Sequence, residues 1–187
     1  MSYKFFIPFF IFINLFLNLE ANEKKVIIDR LIDVDNMTFD FEQITNKKKE
    51  IGTCVLVFDN KLNCDYEDSM QKRILINGKT LVVQQKRYNK IYFYPISNSL
   101  FIKIFNKDNL INLIRDSEYQ LDNNIILTYV DDNKEKIIIF FRKDNYDILG
   151  WRVIDKLQNV INFSIKIKNV NRKINPKIFK IPILIKE

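Results

Sequence analysis

The chain has 187 residues, of which 47% are hydrophobic and 28% charged, with a formal net charge of +7. This composition predicts one globular domain with its own core and excludes a disordered chain. There is no His and there are only two Cys, so neither a metal site nor a cofactor is predicted. The lysines are scattered and form neither a basic helix nor a ribonucleoprotein motif, so a nucleic-acid-binding protein is not favoured. No phosphate loop or nucleophile elbow is present, so the chain is not predicted to be an enzyme.

The N-terminal segment has the pattern of a signal peptide. Lys4 precedes an apolar run over residues 5–17, which is shorter than the about 20 residues needed to cross a bilayer. Ala21 provides the small residue of a cleavage site. We therefore expect removal of residues 1–21, which leaves residues 22–187 as a single soluble domain in an oxidising compartment. An uncleaved anchor helix is the alternative.

The first elements of the mature chain are a helix and a strand. Glu23 to Asp33 places apolar residues on one side and charged residues on the other, which predicts a short amphipathic helix. Met37 to Glu42 alternates strictly between apolar and polar residues, as a strand with one buried face does. The Lys-rich stretch from Thr45 to Glu50 is predicted to be a polar loop.

The stretch from Gly52 to Pro95 predicts a meander of antiparallel strands, with Asn77-Gly78 as its strongest hairpin signal. Two further short helices are expected between Leu100 and Ile114, with a break around Asn106. The remainder of the chain, to Ile167, again alternates between strand and turn patterns.

The two cysteines lie on the first two strands of this meander. With the turn centred near Asp59, Cys54 is predicted to pair with Cys64, and Leu56 with Leu62. The sulfurs then point the same way on neighbouring strands, close enough for a disulfide in an exported protein. Two reduced, buried cysteines are the alternative.

These elements predict an α+β fold, with about ten strands in one curved antiparallel sheet and helices on one face. The concave face of such a sheet must be filled by side chains or occupied by a ligand. Apolar patterning alone favours a filled core over a cavity under a helical lid. An outer-membrane barrel would share the signal peptide and the strands, but the two helical clusters disfavour it.

Four motifs, in this order, resemble the periplasmic outer-membrane lipoprotein carrier family, LolA. They are the strand Phe39–Gln43, the turn Asn77–Leu81, the helix start at Leu100-Phe101 and the late segment Lys177–Pro182. The resemblance spans nearly the whole mature chain. It implies an unclosed β-barrel with a helical lid over a hydrophobic cavity.

The resemblance also implies a function. Members of this family accept acylated lipoproteins from an inner-membrane ABC transporter, shield the acyl chains across the periplasm and deliver them to an outer-membrane receptor. A monomer without a cofactor is expected. The alternative is a structural or regulatory domain of the cell envelope that binds lipids or lipoproteins on the same half-barrel without transporting them.

The order of the family's motifs and the apolar periodicity of the strands and helices together suggest the residues of an acyl-binding site. The expected cavity wall is Phe39, Phe41, Leu56, Phe58, Leu62, Cys64 and Tyr66. The expected lid residues are Ile27, Leu31, Phe101 and Phe105. Leu62 matches a cavity aromatic of the family, Cys64 stands where many relatives have Trp, and Phe58 stands where relatives have an Arg that ties the lid to the barrel. The departure at Phe58 predicts a lid held by apolar contact alone.

Overall fold

The computed structural model describes residues 9–58, 60–96 and 100–182. The α-helices are α1 (Phe9–Ile32), α2 (Leu100–Lys103) and α3 (Lys107–Asp116), and 3-10 helices form at Lys86–Tyr88 and Pro176–Phe179. The strands are β1 (Asn36–Thr45), β2 (Lys48–Val57), β3 (Lys61–Tyr66), β4 (Lys72–Asn77), β5 (Thr80–Gln85), β6 (Lys90–Pro95), β7 (Glu118–Leu121), β8 (Ile125–Val130), β9 (Lys136–Phe141), β10 (Ile148–Ile154) and β11 (Val160–Val170).

The strands form one open antiparallel sheet of 11 strands in the order β6-β5-β4-β3-β2-β1-β11-β10-β9-β8-β7. Strands that pair in the sheet are consecutive in sequence, except at the seam where β1 pairs with β11. The sheet is therefore two meanders joined at that seam, with β6 and β7 as its edges over the described ranges. The predicted α+β fold, a curved sheet that does not close, is confirmed.

The hairpin between β1 and β2 corrects one prediction. The expected polar loop from Thr45 to Glu50 is instead a tight turn at Asn46 and Lys47, with φ angles of 49° and 68°. Two successive left-handed residues give the backbone twist that a two-residue hairpin needs. Both strands therefore continue to the turn, and Thr45 pairs with Lys48.

The helices lie over the concave face of the sheet. α1 contains the predicted amphipathic helix and continues back to Phe9, so cleavage after Ala21 stays a prediction. α3 begins as expected after Asn106, whose side chain caps it by accepting a hydrogen bond from the backbone N–H of Asn109 at 2.9 Å. Because α2 and α3 connect β6 to β7, they run between the two edges of the sheet. Over the part of the chain that the structure describes, no helix combines the length and apolar character needed to span a bilayer.

Two hydrophobic clusters stabilise this arrangement. The larger one joins the concave face of the sheet to the helices, with Ile27 from α1 and Phe105 and Ile114 from the α2–α3 region all buried. The smaller one lies on the opposite face, where Phe179 packs against Leu75 and Val82. The segment after β11 thus covers the convex side of the sheet, while the helices cover the concave side.

Candidate functional site

An apolar cavity of about 310 Å³ lies between the helices and the concave face of the sheet. This volume is at the lower end of the range for ligand pockets. Its wall consists of Ile27, Leu31, Val34, Met37, Phe39, Leu56, Phe58, Ile104, Phe105, Leu110, Phe141, Ile148, Trp151, Ile165, Ile167 and Val170, and its polar lining is Arg30, Asp33, Tyr146 and Asp147. The concave face therefore holds a void, which patterning alone did not favour.

The pleat of β1 and β2 places their apolar side chains in this cavity. Met37 pairs with Leu56 across the two strands, and Phe39 pairs with Cys54. Residues two apart on a strand point to the same face, so the alternation along each strand presents one apolar surface to the helices. The strictly alternating pattern at Met37 to Glu42 is thus the sequence signal for this part of the wall.

The structure brings together only some of the residues expected at the site. Phe39 and Leu56 line the cavity from β1 and β2, and Phe58 lines it just after β2. Ile27 and Leu31 line it from α1, and Phe105 from the connection between α2 and α3. The residues Phe41, Leu62, Cys64 and Tyr66 are buried in the same core but are not part of the cavity lining. The side chain of Phe101 falls outside the described residues.

Aromatic rings fill the remaining part of the concave face. Phe41 stacks on Phe163 at 4.8 Å between ring centroids and meets Tyr66 edge to face at 4.8 Å. Trp151 stacks on the other side of Phe163 at 4.7 Å and meets the Phe105 ring at 5.9 Å. The concave face is therefore packed in one part and hollow in another, and Trp151 lies at the boundary, where it is both buried core and cavity wall.

Sequence reasoning missed the second half of the cavity wall, which comes from Phe141, Ile148, Ile165 and Ile167 on β9–β11. The alternation of Phe163, Ile165 and Ile167 was a usable signal that these side chains share a face. What the pattern did not reveal is that β11 lies beside β1, where Phe39 pairs with Ile167. That contact joins the first strand of the sheet to the last.

Cys54 and Cys64 form a disulfide in the packed part of the sheet. They pair directly across β2 and β3, as do Leu56 and Leu62, so the predicted register is confirmed. Both cysteines are buried, with exposed fractions of 0% and 3%. The disulfide therefore lies in the core beside the cavity and joins β2, which contributes Leu56 to the wall, to β3.

Polar contacts hold the helices in place, so the expectation of a lid held by apolar contact alone is wrong. Lys107, at the start of α3, donates a hydrogen bond of 2.9 Å to the carbonyl of Ile32, the last residue of α1. The same ammonium lies 3.6 Å from Asp35 and 5.8 Å from the centre of the Phe58 ring. The carbonyls at a helix C-terminus lack partners within the helix and favour a cation. Lys107 thus links the start of α3 to the end of α1, beside Phe58.

Two further contacts tie α1 to its surroundings. Lys24 donates to the carbonyl of Ser117, at the end of α3, at 2.5 Å. Arg30 donates to the carbonyl of Asn145 in the β9–β10 loop and lies over the ring of Tyr146. α1 is therefore tied to α3 at Lys24 and Ile32, and to the β9–β10 loop at Arg30.

The mouth of the cavity carries charge of both signs, from Arg30, Asp33 and Asp147. A hydrogen bond with Glu23 raises the pKa of the Tyr146 hydroxyl at this rim, so the phenol stays neutral in ordinary buffers. Among the described residues no group of three or more carboxylate or Cys side chains could hold a metal ion. The site is an apolar interior with a polar entrance.

Ion pairs support the packed end of the sheet from outside. Glu50 accepts hydrogen bonds from Lys72 at 2.7 Å and from Lys48 at 2.9 Å. Burial opposes the charged form of Glu50, but the two lysines outweigh it and hold its pKa below the usual value. The Lys72 ammonium also lies 3.8 Å from the centre of the Tyr66 ring, so this cluster covers the aromatic core.

An open antiparallel half-barrel with helices over an apolar cavity is a fold of binding and carrier proteins. The family described as outer membrane lipoprotein carrier protein LolA matches residues 33–182. The chain belongs to this family. No curated protein sequence matches the chain significantly.

Solved structures share the fold at low sequence identity. An uncharacterized conserved protein from Thermus thermophilus is 7% identical with a TM-score of 0.50, over 87% of this chain and 94% of that one. A chain of the Pseudomonas aeruginosa MucA/MucB complex is 9% identical with a TM-score of 0.50, over 86% of this chain and 61% of that one. A LolA superfamily protein from Nitrosomonas europaea is 13% identical with a TM-score of 0.41, over 84% of this chain and 97% of that one. For the first two structures, with TM-scores of 0.50, the likeness shows the fold alone.

Proposed function

We propose that this protein is a periplasmic chaperone that binds the acyl chains of lipoproteins and carries them from the inner to the outer membrane. The observation that carries this proposal is the apolar cavity under the helices, in a chain of the lipoprotein carrier family. Each methylene removed from water contributes about 0.8 kcal/mol, so a bare acyl chain does not leave a membrane at a useful rate. A cavity lined by aliphatic and aromatic side chains offsets that cost.

The route of the cargo has two partners in this proposal. An inner-membrane ABC transporter is the donor, and an outer-membrane receptor is the acceptor. The carrier itself makes no covalent bond and acts as a monomer, so the direction of transfer comes from the donor's ATP hydrolysis and the higher affinity of the receptor. The apolar interior holds the acyl chains, while the polar entrance at Arg30, Asp33 and Asp147 faces the protein part of the cargo.

The direct test compares two glutamate substitutions on β2. Leu56→Glu places a carboxylate in the cavity, whereas Ile51→Glu changes a side chain on the outer face of the same strand that is 41% exposed. We expect bound lipoprotein, detected by mass spectrometry after purification from the native periplasm, to be lost in Leu56→Glu and retained in Ile51→Glu. Leu56→Trp, which fills the cavity without a charge, separates loss of binding from loss of folding. Retained cargo in both Leu56 variants would contradict the proposal.

A second candidate function is a domain that binds a lipid or lipoprotein as a regulator without transporting it. A chain of the MucA/MucB complex has the same fold, and that structure contains two associated proteins, so the fold is compatible with this candidate and does not decide between the two. A strain without the protein distinguishes the two. Loss of a carrier leaves lipoproteins in the inner membrane, whereas loss of a regulator leaves their distribution between the membranes unchanged.

A further inference from the structure

The positive charge of the chain is concentrated in one segment. From Ser69 to Lys107 the sequence contains eight Lys or Arg residues and no Asp or Glu, while the whole chain has a net charge of +7. The remainder of the chain is therefore almost neutral. A charge distribution of this kind creates a local positive potential that favours an anionic partner.

The most exposed part of this segment is the β5–β6 connection with the edge strand β6, residues 86–94, which we term the basic aromatic hairpin. Its aromatic side chains are Tyr88, Tyr92, Phe93 and Tyr94, with exposed fractions of 54%, 40%, 47% and 47%. Large aromatic residues are usually buried, and several exposed together mark an interaction surface. They lie at one edge of the sheet, where β5 is the neighbour of β6 within the described part of the chain.

The basic side chains of the hairpin lie between these rings. Lys86 pairs with Asp65 at 2.5 Å, so part of its charge is compensated. Arg87 donates to the carbonyl of Ser69, and within the described residues neither Arg87 nor Lys90 has an ion-pair partner. Two uncompensated cations are thus interleaved with four exposed aromatic rings.

The rings do not form a groove. Tyr92 and Tyr94 are on one face of β6, Phe93 is on the other because side chains alternate, and Tyr88 is in the 3-10 helix at the tip. An added peptide strand would cover the edge but leave the tip uncovered. A flat anionic surface contacts the tip and both faces together, and tyrosine beside Lys or Arg is the side-chain combination found at membrane–water interfaces.

We propose that the basic aromatic hairpin binds the headgroup region of an anionic phospholipid bilayer. The rings enter the interface while Arg87 and Lys90 contact lipid phosphates. At the depth of the headgroups, the outer backbone edge of β6 remains hydrated. The hairpin is separate from the cavity, since none of its residues lines the wall. The proposal therefore stands independently of the acyl cargo.

The experiment measures binding to vesicles of 30% phosphatidylglycerol in phosphatidylcholine and to vesicles of phosphatidylcholine alone, for the protein as recovered from the periplasm. We expect the double variant Arg87→Gln/Lys90→Gln to reduce partitioning onto the anionic vesicles about 25-fold, since each basic residue near such a surface contributes about fivefold. Phe93→Ser is expected to weaken binding several-fold with the charge unchanged. The matched control is Lys143→Gln/Lys156→Gln, which changes two exposed lysines in loops of the other meander.

All variants have the same N-terminal segment, so the membrane affinity of that segment cancels when the variants are compared. Binding to the phosphatidylcholine vesicles measures that affinity. The proposal is overturned when the control variant loses as much binding as the hairpin variant, or when wild type binds both vesicles equally. It is also overturned when wild type binds neither kind of vesicle and Phe93→Ser instead shifts the mass in solution from dimer to monomer. Loss of binding to an acidic partner protein in Phe93→Ser, again without vesicle binding by wild type, would overturn it as well. Circular dichroism of each variant verifies that the fold is retained.

Discussion

Reduction of the Cys54–Cys64 disulfide is expected to lower the free energy of unfolding by about 2.7 kcal/mol. The two cysteines are separated by 10 residues, and the entropy that a cross-link removes from the unfolded chain grows with the logarithm of the loop length, which gives this value at 25 °C. The folded protein changes little on reduction, because the same two residues face each other in the β2–β3 register and remain buried.

The same argument predicts no effect on the cavity. Neither cysteine is part of the cavity lining, so the affinity of the folded protein for a fluorescent fatty acid should be the same with and without the disulfide. The disulfide is then a stabilising cross-link beside the cavity and not a ligand contact.

The assay is urea denaturation of the oxidised and the reduced protein, followed by fatty-acid titration of both below the transition. The variant Cys54→Ala/Cys64→Ala is the control for the reductant, since its stability should not respond to reduction. Two results would refute the reasoning: an unfolding free energy that is unchanged by reduction, or a fatty-acid affinity that falls in the folded, reduced protein.

Three further predictions concern single side chains. Lys107→Met removes a charged hydrogen bond to Ile32, so hydrogen exchange at the end of α1 should be faster by the equivalent of about 1.5–3 kcal/mol. Because the folded pKa of Glu50 is lowered, Glu50→Gln should be less stable than wild type at pH 7, and this difference should vanish as the pH falls from about 4.3, the unfolded value, through the folded pKa. Gly52→Ala should destabilise by about 1–3 kcal/mol or more in thermal unfolding, because its Cβ would lie 2.2 Å from the Asp65 carbonyl oxygen.

Each of these predictions has a contrary outcome. Unchanged exchange in Lys107→Met would mean that the hydrogen bond from Lys107 to Ile32 does not stabilise the end of α1. A stability difference for Glu50→Gln that stays constant however far the pH falls below the unfolded value would show that the ion pair does not carry it. Wild-type stability of Gly52→Ala would mean that β3 moves away from β2 without cost.

The local parts of the fold could be predicted from the sequence because their signals are short-range. Asn77-Gly78 is a two-residue turn, and the pairing of Cys54 with Cys64 follows from counting along one hairpin. The turn at Asn46 and Lys47 escaped prediction because a lysine rarely adopts a positive φ. Tertiary pairing of the two strands outweighed that local preference.

The cavity could be predicted only in part because its wall is assembled from both meanders. Phe39 and Leu56 were predictable from alternation within neighbouring strands, but Ile165 and Ile167 reach the cavity only through the pairing of β1 with β11. The contact of Lys107 with Ile32 depends on a long side chain that spans two helices, and no spacing rule encodes such a contact. Short-range signals thus identify elements, while the void between them depends on their assembly.

The seam between β1 and β11 also sets the order in which the molecule can become functional. Met37 pairs with Leu56 within the first hairpin but with Val170 near the end of the chain, and loop closure over such a distance is slow. The first meander consists of pairings that are local in sequence and can form before the second. The cavity wall, in contrast, is complete only when the last strand arrives. A chain in which only the first meander has formed therefore has a sheet but no complete cavity, and binding competence begins with the final strand.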